Sequence, residues 1–176
     1  PYVVPEPYAS MYKPEDALPL VRSDDELRDA HPVYAAMTRH RVARTFSRPE
    51  VRDAVMVGYM GLVKQIDDEL GRLFAFMEAQ GLMENTMIVF TSDHGDLLGA
   101  HGGLQQKWCQ AFDEATRVPL IVTGPGIVPV SGGISTPTSH VDLIPTLMGL
   151  AGIDVERATA GVQAQHNEVH PLVGRD

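Results

Sequence analysis

The sequence encodes an α/β architecture in which a mostly parallel sheet is flanked by helices. Apolar residues recur with a 3.6-residue rhythm from Val51 to Met77, the stripe of a long helix with one buried side. After a tight turn comes a short unbroken apolar run, Met87-Ile88-Val89-Phe90, and a strand covered on both faces reads this way rather than alternating. A second such run covers Val118 to Val122. Helix followed by strand is the repeating unit of doubly wound sheets.

Composition sets limits on what the chain does. At 176 residues, 44% of them hydrophobic, it can bury a core as one domain. A net charge of −9 argues against nucleic acid as a partner, because phosphate binding needs a basic face. An anionic ligand would have to be drawn in by local cations. The single cysteine, Cys109, rules out an internal disulfide and a cysteine-based zinc site. No Pro-x-Arg follows it, and it reads as a packing residue. No run approaches the roughly 18 apolar residues of a membrane span, and the first residues do not have the form of a signal peptide. A cytoplasmic location is the expectation.

Residues 1–48 form an extended, Pro-rich and basic segment. Pro1, Pro5, Pro7, Pro14 and Pro19 oppose both helix and central strand, so this part should drape over a body supplied elsewhere. Ser23-Asp24-Asp25-Glu26 has the form of a capping box and opens a short helix. His31, Arg39, His40, Arg41, Arg44 and Arg48 concentrate positive charge, which reads as a solvated helical face or a set of ion-pair partners. Residues 49–152 hold the α/β core. A second capping box, Ser47 to Glu50, opens the long helix of about 30 residues, which should cover one side of the sheet and stop at Gly81. Asp67, Asp68 and Glu69 are consecutive on that helix and splay over different faces, so they are structural acids rather than metal ligands.

Chemistry belongs where the first strand stops, since parallel α/β sheets bind ligands outside the carboxyl ends of their strands. There the sequence reads Ser92-Asp93-His94-Gly95-Asp96. Carboxylate and imidazole side by side suit a divalent cation, with Gly95 letting the backbone turn sharply around them. Isolated, such a cluster is equally a cap and a surface histidine. Lys107 adds weight. It follows a glycine-rich loop (Gly99, Gly102, Gly103) and is the only lysine after Lys64. A lysine beside a metal is costly unless an anion sits between them, so an anionic substrate bridging metal and ammonium is implied.

Four blocks in order, FTSDHGDLLGAHGG, QKW, FDEATRVPLIVTGPGI and SHVDLIPTLMGLAGI, resemble the sulfatase family of the alkaline-phosphatase superfamily. With the upstream helix they cover about two thirds of the chain. The resemblance implies an alkaline-phosphatase-like sandwich, with Asp93 and His94 as metal ligands and Lys107 as a catalytic and substrate-binding contact to the sulfate-like group. Ca²⁺ is the expected ion on an oxygen-rich set, with Mn²⁺, Mg²⁺ or Zn²⁺ as alternatives. The family's Cys- or Ser-x-Pro/Ala-x-Arg motif, whose first residue becomes formylglycine, and its paired-Asp metal motif do not occur in these residues. The chain therefore reads as one partial catalytic domain, the C-terminal portion of a larger enzyme, supplying half of an active site and inactive alone.

The remaining elements are minor. Phe112 to Arg117 forms a turn or short helix, with Arg117 an ion-pair residue rather than an anion ligand. Val141 to Gly152 is an amphipathic helix whose Asp142 caps its start rather than pairing catalytically with His140. Residues 153–176 form a poorly defined tail. They depart from the family pattern at Gly161-Val162-Gln163, and about the last fifteen should be poorly ordered.

Metal-dependent hydrolysis of sulfate monoesters is the leading expectation. A phosphonate monoester or phosphodiester hydrolase of the same superfamily is the closest rival, kept open by Asp-His in place of the Asp-Asn of many sulfatases. A non-catalytic scaffold or binding module is the alternative of another class. Expected partners are a small anionic ester and the remainder of the catalytic domain, with homo-oligomerisation left open.

Overall fold

The computed structural model describes residues 2–20, 23–107, 111–129 and 135–165. Internal packing divides the chain into two units, Pro1–Val128 and Pro129–Asp176. Cys109 and the tail after Gln165 lie outside the described residues.

In the first unit the proline-rich segment makes only short 3-10 turns, Tyr8–Ser10 and Pro14–Asp16. It lies on the chain's own long helix, α3 (Pro49–Ala79), where the sequence had implied a body supplied elsewhere. Two glycines make the seat. A Cβ on Gly61 would stand 2.7 Å from the Tyr8 carbonyl oxygen, and one on Gly58 would stand 3.1 Å from that of Tyr2. Between segment and helix come a 3-10 turn, Asp24–Leu27, opened by Ser23 accepting the Asp25 N–H, and two short helices, α1 (Pro32–Arg39) and α2 (Arg41–Phe46). His31 and His40 are their caps, each ring Nδ1 accepting the N–H two residues on. The basic residues thus stand on exposed helical surface, with Arg39, Arg41, Arg44 and Arg48 all turned to water.

Helix α3 runs 31 residues, close to the length its rhythm predicts, and Gly81 ends it at φ +68°. The capping box expected at its start does not form. The Ser47 hydroxyl donates back to the Arg44 carbonyl at 2.9 Å and closes α2, so Arg48 occupies the cap position without a side-chain bond. The principal neighbours of α3 are the two N-terminal turns and α2 rather than the sheet. Its acids are structural: Lys64 pairs with Asp68 and Asp67, and Arg72 makes two bonds to Glu69 at 2.8 and 2.9 Å.

Strands β1 (Ile88–Thr91) and β2 (Leu120–Thr123) pair antiparallel, with Ile88 opposite Thr123 and Thr91 opposite Leu120. The architecture is α/β as expected, but the parallel neighbours implied by the apolar runs are not among the described residues. Nor are the two strands buried on both faces: Phe90, Leu120 and Ile121 are 39, 49 and 55% exposed. An unbroken apolar run specifies that both faces be covered; it does not specify the direction of the neighbouring strand. The buried centre of this unit lies instead where Leu97 and Leu104 meet Ala43 of α2, with Tyr34, Met37 and Phe112 around them.

In the second unit a 3-10 turn, His140–Asp142, leads into α6 (Leu143–Leu150). The Asp142 carboxylate accepts the Ser139 N–H at 3.0 Å in a capping box that opens the 3-10 turn, whereas at the cap position of α6 itself Asp142 makes no side-chain cap bond, and Gly152 ends the element at φ +72°. A further helix, α7 (Val155–Gln165), occupies much of the stretch expected to be undefined. Asp154 caps it by accepting the Arg157 N–H at 2.9 Å, and Glu, Arg, Ala and Gln are good helix formers that need no strong apolar stripe to be helical. Among the described residues no helix is long and apolar enough to cross a membrane.

Candidate active site

Strand β1 delivers the chain to Ser92, whose hydroxyl donates to the His94 carbonyl at 2.7 Å and folds the backbone over at the strand's end. The Asp93 carboxylate accepts the His94 N–H at 2.9 Å. His94 Nδ1 lies 2.6 Å from the Gly95 carbonyl oxygen. A carbonyl only accepts, so Nδ1 carries a proton, which leaves Nε2 as the ring atom available to a metal. Nε2 stands 3.5 Å from Asp93 Oδ2, and Lys107 Nζ stands 4.0 Å from the same oxygen. The three residues singled out in the sequence therefore meet at one point on the surface.

That point is open to solvent, with the Asp93 and Lys107 side chains 79 and 56% exposed. Desolvation pushes the Asp93 carboxyl upward, but the His94 amide, the His94 ring and the Lys107 ammonium outweigh it and hold the carboxyl below the usual carboxylate range. Asp93 is thus an anion over most of the pH scale. Asp93 and His94 fit a divalent cation as two donors of a larger set. Among the described residues no group of three His, Cys, Asp or Glu converges on one place, so further ligands would have to come from elsewhere.

Gly95 is required for a reason other than the one the sequence suggested. Its φ is not in the left-handed region; rather, an added Cβ would lie 1.8 Å from the Glu114 carbonyl oxygen. This close approach lets the Gly95 N–H donate to the Ala115 carbonyl at 2.9 Å. It fastens the strand end to a single helical turn, α5 (Asp113–Thr116). On that turn Arg117 faces Asp113 at 3.4 Å as an exposed ion pair, in keeping with its structural reading.

Asp96 closes the loop that returns to Lys107. One carboxylate oxygen accepts the N–H groups of both Leu98 and Gln106 at 2.9 Å, and the other accepts the Tyr2 hydroxyl at 2.6 Å. Gln106, the neighbour of Lys107, is thereby fixed to a residue two positions past His94. The loop is wound tightly around the turn α4 (Ala100–Gly103). All three non-glycine residues with positive φ among the described residues lie here: Leu98 (45°), His101 (49°) and Gln106 (57°). Non-glycine side chains in this region cost on the order of 1 kcal/mol or more each, and they persist where packing over-determines them.

His101 supplies part of that packing, and the sequence reading passed it over. It is 7% exposed, in a loop whose other members are mostly glycine and leucine. Its Nδ1 lies 3.1 Å from Glu26 and its Nε2 lies 3.1 Å from Glu114. Its ring stacks on Phe112 with centroids 3.8 Å apart, and its carbonyl accepts the Tyr34 hydroxyl at 2.8 Å. The one sequence signal was a histidine centred among Gly99, Gly102 and Gly103, a place where an exposed polar residue would have been ordinary.

Comparison with known proteins gives the family setting. The Sulfatase family model matches residues 14–153. The multifunctional alkaline phosphatase superfamily protein PehA of Trinickia caryophylli is 32% identical over 92% of this chain and 34% of its own length. The choline-sulfatase of Rhizobium meliloti is 40% identical over 56% of this chain and 18% of its own length. The solved phosphonate monoester hydrolase of Silicibacter pomeroyi superposes with a TM-score of 0.78 at 30% identity, over 90% of this chain and 33% of that one. The chain spans about a third or less of the length of the relatives it matches.

Proposed function

This chain belongs to the sulfatase family, and on that premise we propose that it carries half of the active site of a metal-dependent hydrolase of sulfate monoesters. The observation that carries this reading is the meeting of Asp93, His94 and Lys107 at the end of β1, within 4.0 Å of one carboxylate oxygen. Asp93 and His94 would hold the divalent ion, Ca²⁺ with Mn²⁺, Mg²⁺ or Zn²⁺ as alternatives. When bound, such an ion polarises an ester oxygen and lowers the pKa of a coordinated nucleophile.

The chain's own residues do the rest. A sulfate monoester resists attack because it is already an anion, so the site must neutralise charge before bond breaking. The Lys107 ammonium turns from Asp93 to the ester's oxygens and stabilises charge that grows as the ester bond breaks. The Gly95 carbonyl keeps the His94 proton on Nδ1, leaving Nε2 free to ligate. The formylglycine motif does not occur in these residues. Turnover is therefore proposed for the full gene product, with these 176 residues inactive alone.

Hydrolysis of phosphonate monoesters or phosphodiesters is the second reading. It is favoured by the extent of likeness to the Silicibacter pomeroyi enzyme and by the Asp93-His94 pair. The deciding experiment measures kcat/KM of the full gene product on an aryl sulfate and on a phenyl phosphonate ester, together with bound metal. The primary reading expects the sulfate to be preferred, and expects Asp93→Ala to lose both metal and activity. Preference for the phosphonate would select the second reading. Full activity in Asp93→Ala would remove both.

A further inference from the structure

We propose that His101 is a positioning residue, a doubly donating clamp that fixes the loop between the Asp93-His94 pair and Lys107 and so sets where the Lys107 ammonium stands. The inference rests on the role of Lys107 proposed above and assigns to that site a residue that touches none of its members.

The geometry is specific. His101 sits between Glu26, on the 3-10 turn Asp24–Leu27, and Glu114, on α5, with a ring nitrogen 3.1 Å from a carboxylate oxygen on each side. Carboxylates accept, so each nitrogen must donate, and both can do so at once only when the ring is an imidazolium. Tyr34, on α1, faces the same cluster, its hydroxyl donating to the His101 carbonyl at 2.8 Å and reaching Glu26 at 3.3 Å. A positive ring also suits the face of Phe112, on which it stacks with an interplanar angle of 6°. Charge-assisted bonds of this kind, at a site 7% exposed, hold geometry more firmly than neutral ones in water.

What is clamped matters more than the clamp. Glu114 is the residue whose carbonyl leaves no room for a Cβ on Gly95, so its backbone abuts the residue after His94 while its side chain holds His101. His101 lies at the tip of the loop that Asp96 closes at Gln106, one residue before Lys107. A loop with left-handed residues at Leu98, His101 and Gln106 would relax if its tip were released, and Lys107 would lose its fixed origin. Small displacements of a group that acts on the reacting centre cost about ten- to a hundredfold in rate.

Two measurements on the full gene product test this. The first is amide hydrogen exchange. His101→Leu, which keeps apolar bulk and removes both donors, should speed exchange at residues 95–107 while leaving the middle of α3 unchanged. Glu114→Gln, which keeps the ring and weakens one acceptor, should do the same to a smaller degree and covers the case in which the leucine variant fails to fold. Unchanged exchange in Glu114→Gln and in any folded leucine variant overturns the clamp. The second is a kinetic cycle. In the parent protein the stronger folded variant should lower kcat/KM about tenfold, and in a Lys107→Ala background it should change it less than twofold. Equal losses in both backgrounds overturn positioning of Lys107 and leave the proposed function standing. A Lys107→Ala variant with parental kcat/KM overturns the role of Lys107, and the positioning claim with it, while the exchange data separately decide whether the clamp orders the loop.

Discussion

The Tyr2 hydroxyl donates to Asp96 at 2.6 Å across 94 positions of sequence, and the Gln105 side chain donates to that same hydroxyl at 3.2 Å. The N-terminal segment is thereby tied to the loop that joins the Asp93-His94 pair to Lys107. Burial in the first place, and the Asp96 bond in the second, push the Tyr2 hydroxyl from 10.0 up to about 12. A group raised in the folded state stabilises fully below its unfolded value and loses that contribution as pH rises through the folded one. Stability should therefore fall between about pH 10 and about pH 12. Tyr34, also raised to about 12 by burial and by Glu26, contributes in the same window. Tyr2→Phe should cost about 2 kcal/mol at neutral pH, since the hydroxyl gives up a bond to a carboxylate and one from Gln105. It should also remove the share of the alkaline loss that Tyr2 carries, leaving that of Tyr34 and Tyr8. Urea midpoints from about pH 8 to about pH 11 check both, and an alkaline slope unchanged by the substitution would show that Tyr2 does not carry it.

Gly95→Ala tests the close approach to α5. The new methyl would meet the Glu114 carbonyl oxygen at 1.8 Å, and the obstacle is backbone, so no side-chain rotation relieves it. Overpacking of this kind costs roughly 1–3 kcal/mol. Separation of Gly95 from Ala115 would also release the strand end that presents Asp93 and His94. We expect a lowered urea midpoint together with weakened metal binding in the full gene product, read by calorimetric titration. A midpoint within experimental scatter of the parent would mean that α5 moves freely and does not fasten the site.

The site was legible in sequence to the extent that its residues are neighbours in sequence or are chemically isolated. Asp93 and His94 are adjacent, and Lys107 is the only lysine after Lys64. Their convergence followed from a strand end and a glycine-rich return. His101, the role of Asp96 and the true reason for Gly95 escaped because their partners lie far along the chain. Tyr2 is 94 positions from Asp96 and Glu26 is 75 from His101, and the clash that makes Gly95 obligatory is with a backbone oxygen that no pattern of side chains encodes. The long helix was readable because 31 residues carry a periodic signal, whereas α7, only 11 residues long and less apolar, was not. The strands were found, but a run of four apolar residues such as Met87–Phe90 says nothing about the hand of its neighbour.

Lys107 separates an anion ligand from an ordinary surface lysine. Its ammonium stands 4.0 Å from Asp93, and both side chains are mostly exposed, so as a structural ion pair it would be nearly worthless. If instead it stabilises charge that grows as the ester bond breaks, Lys107→Ala should lower kcat/KM of the full gene product about a hundredfold, on the order of 3 kcal/mol of transition-state stabilisation. The urea midpoint should stay close to the parent's, and bound metal should be retained, in contrast to Asp93→Ala. Lys107→Arg should recover only part of the loss, because a planar guanidinium does not place its charge where a compact ammonium does. Arg117→Ala is the matched control. It removes a still more exposed cation, one paired with Asp113 at 3.4 Å, and should leave kcat/KM within about twofold. If Lys107→Ala behaved like Arg117→Ala, the ammonium would be a solvated loop charge, and the chemistry would rest on Asp93 and His94 alone.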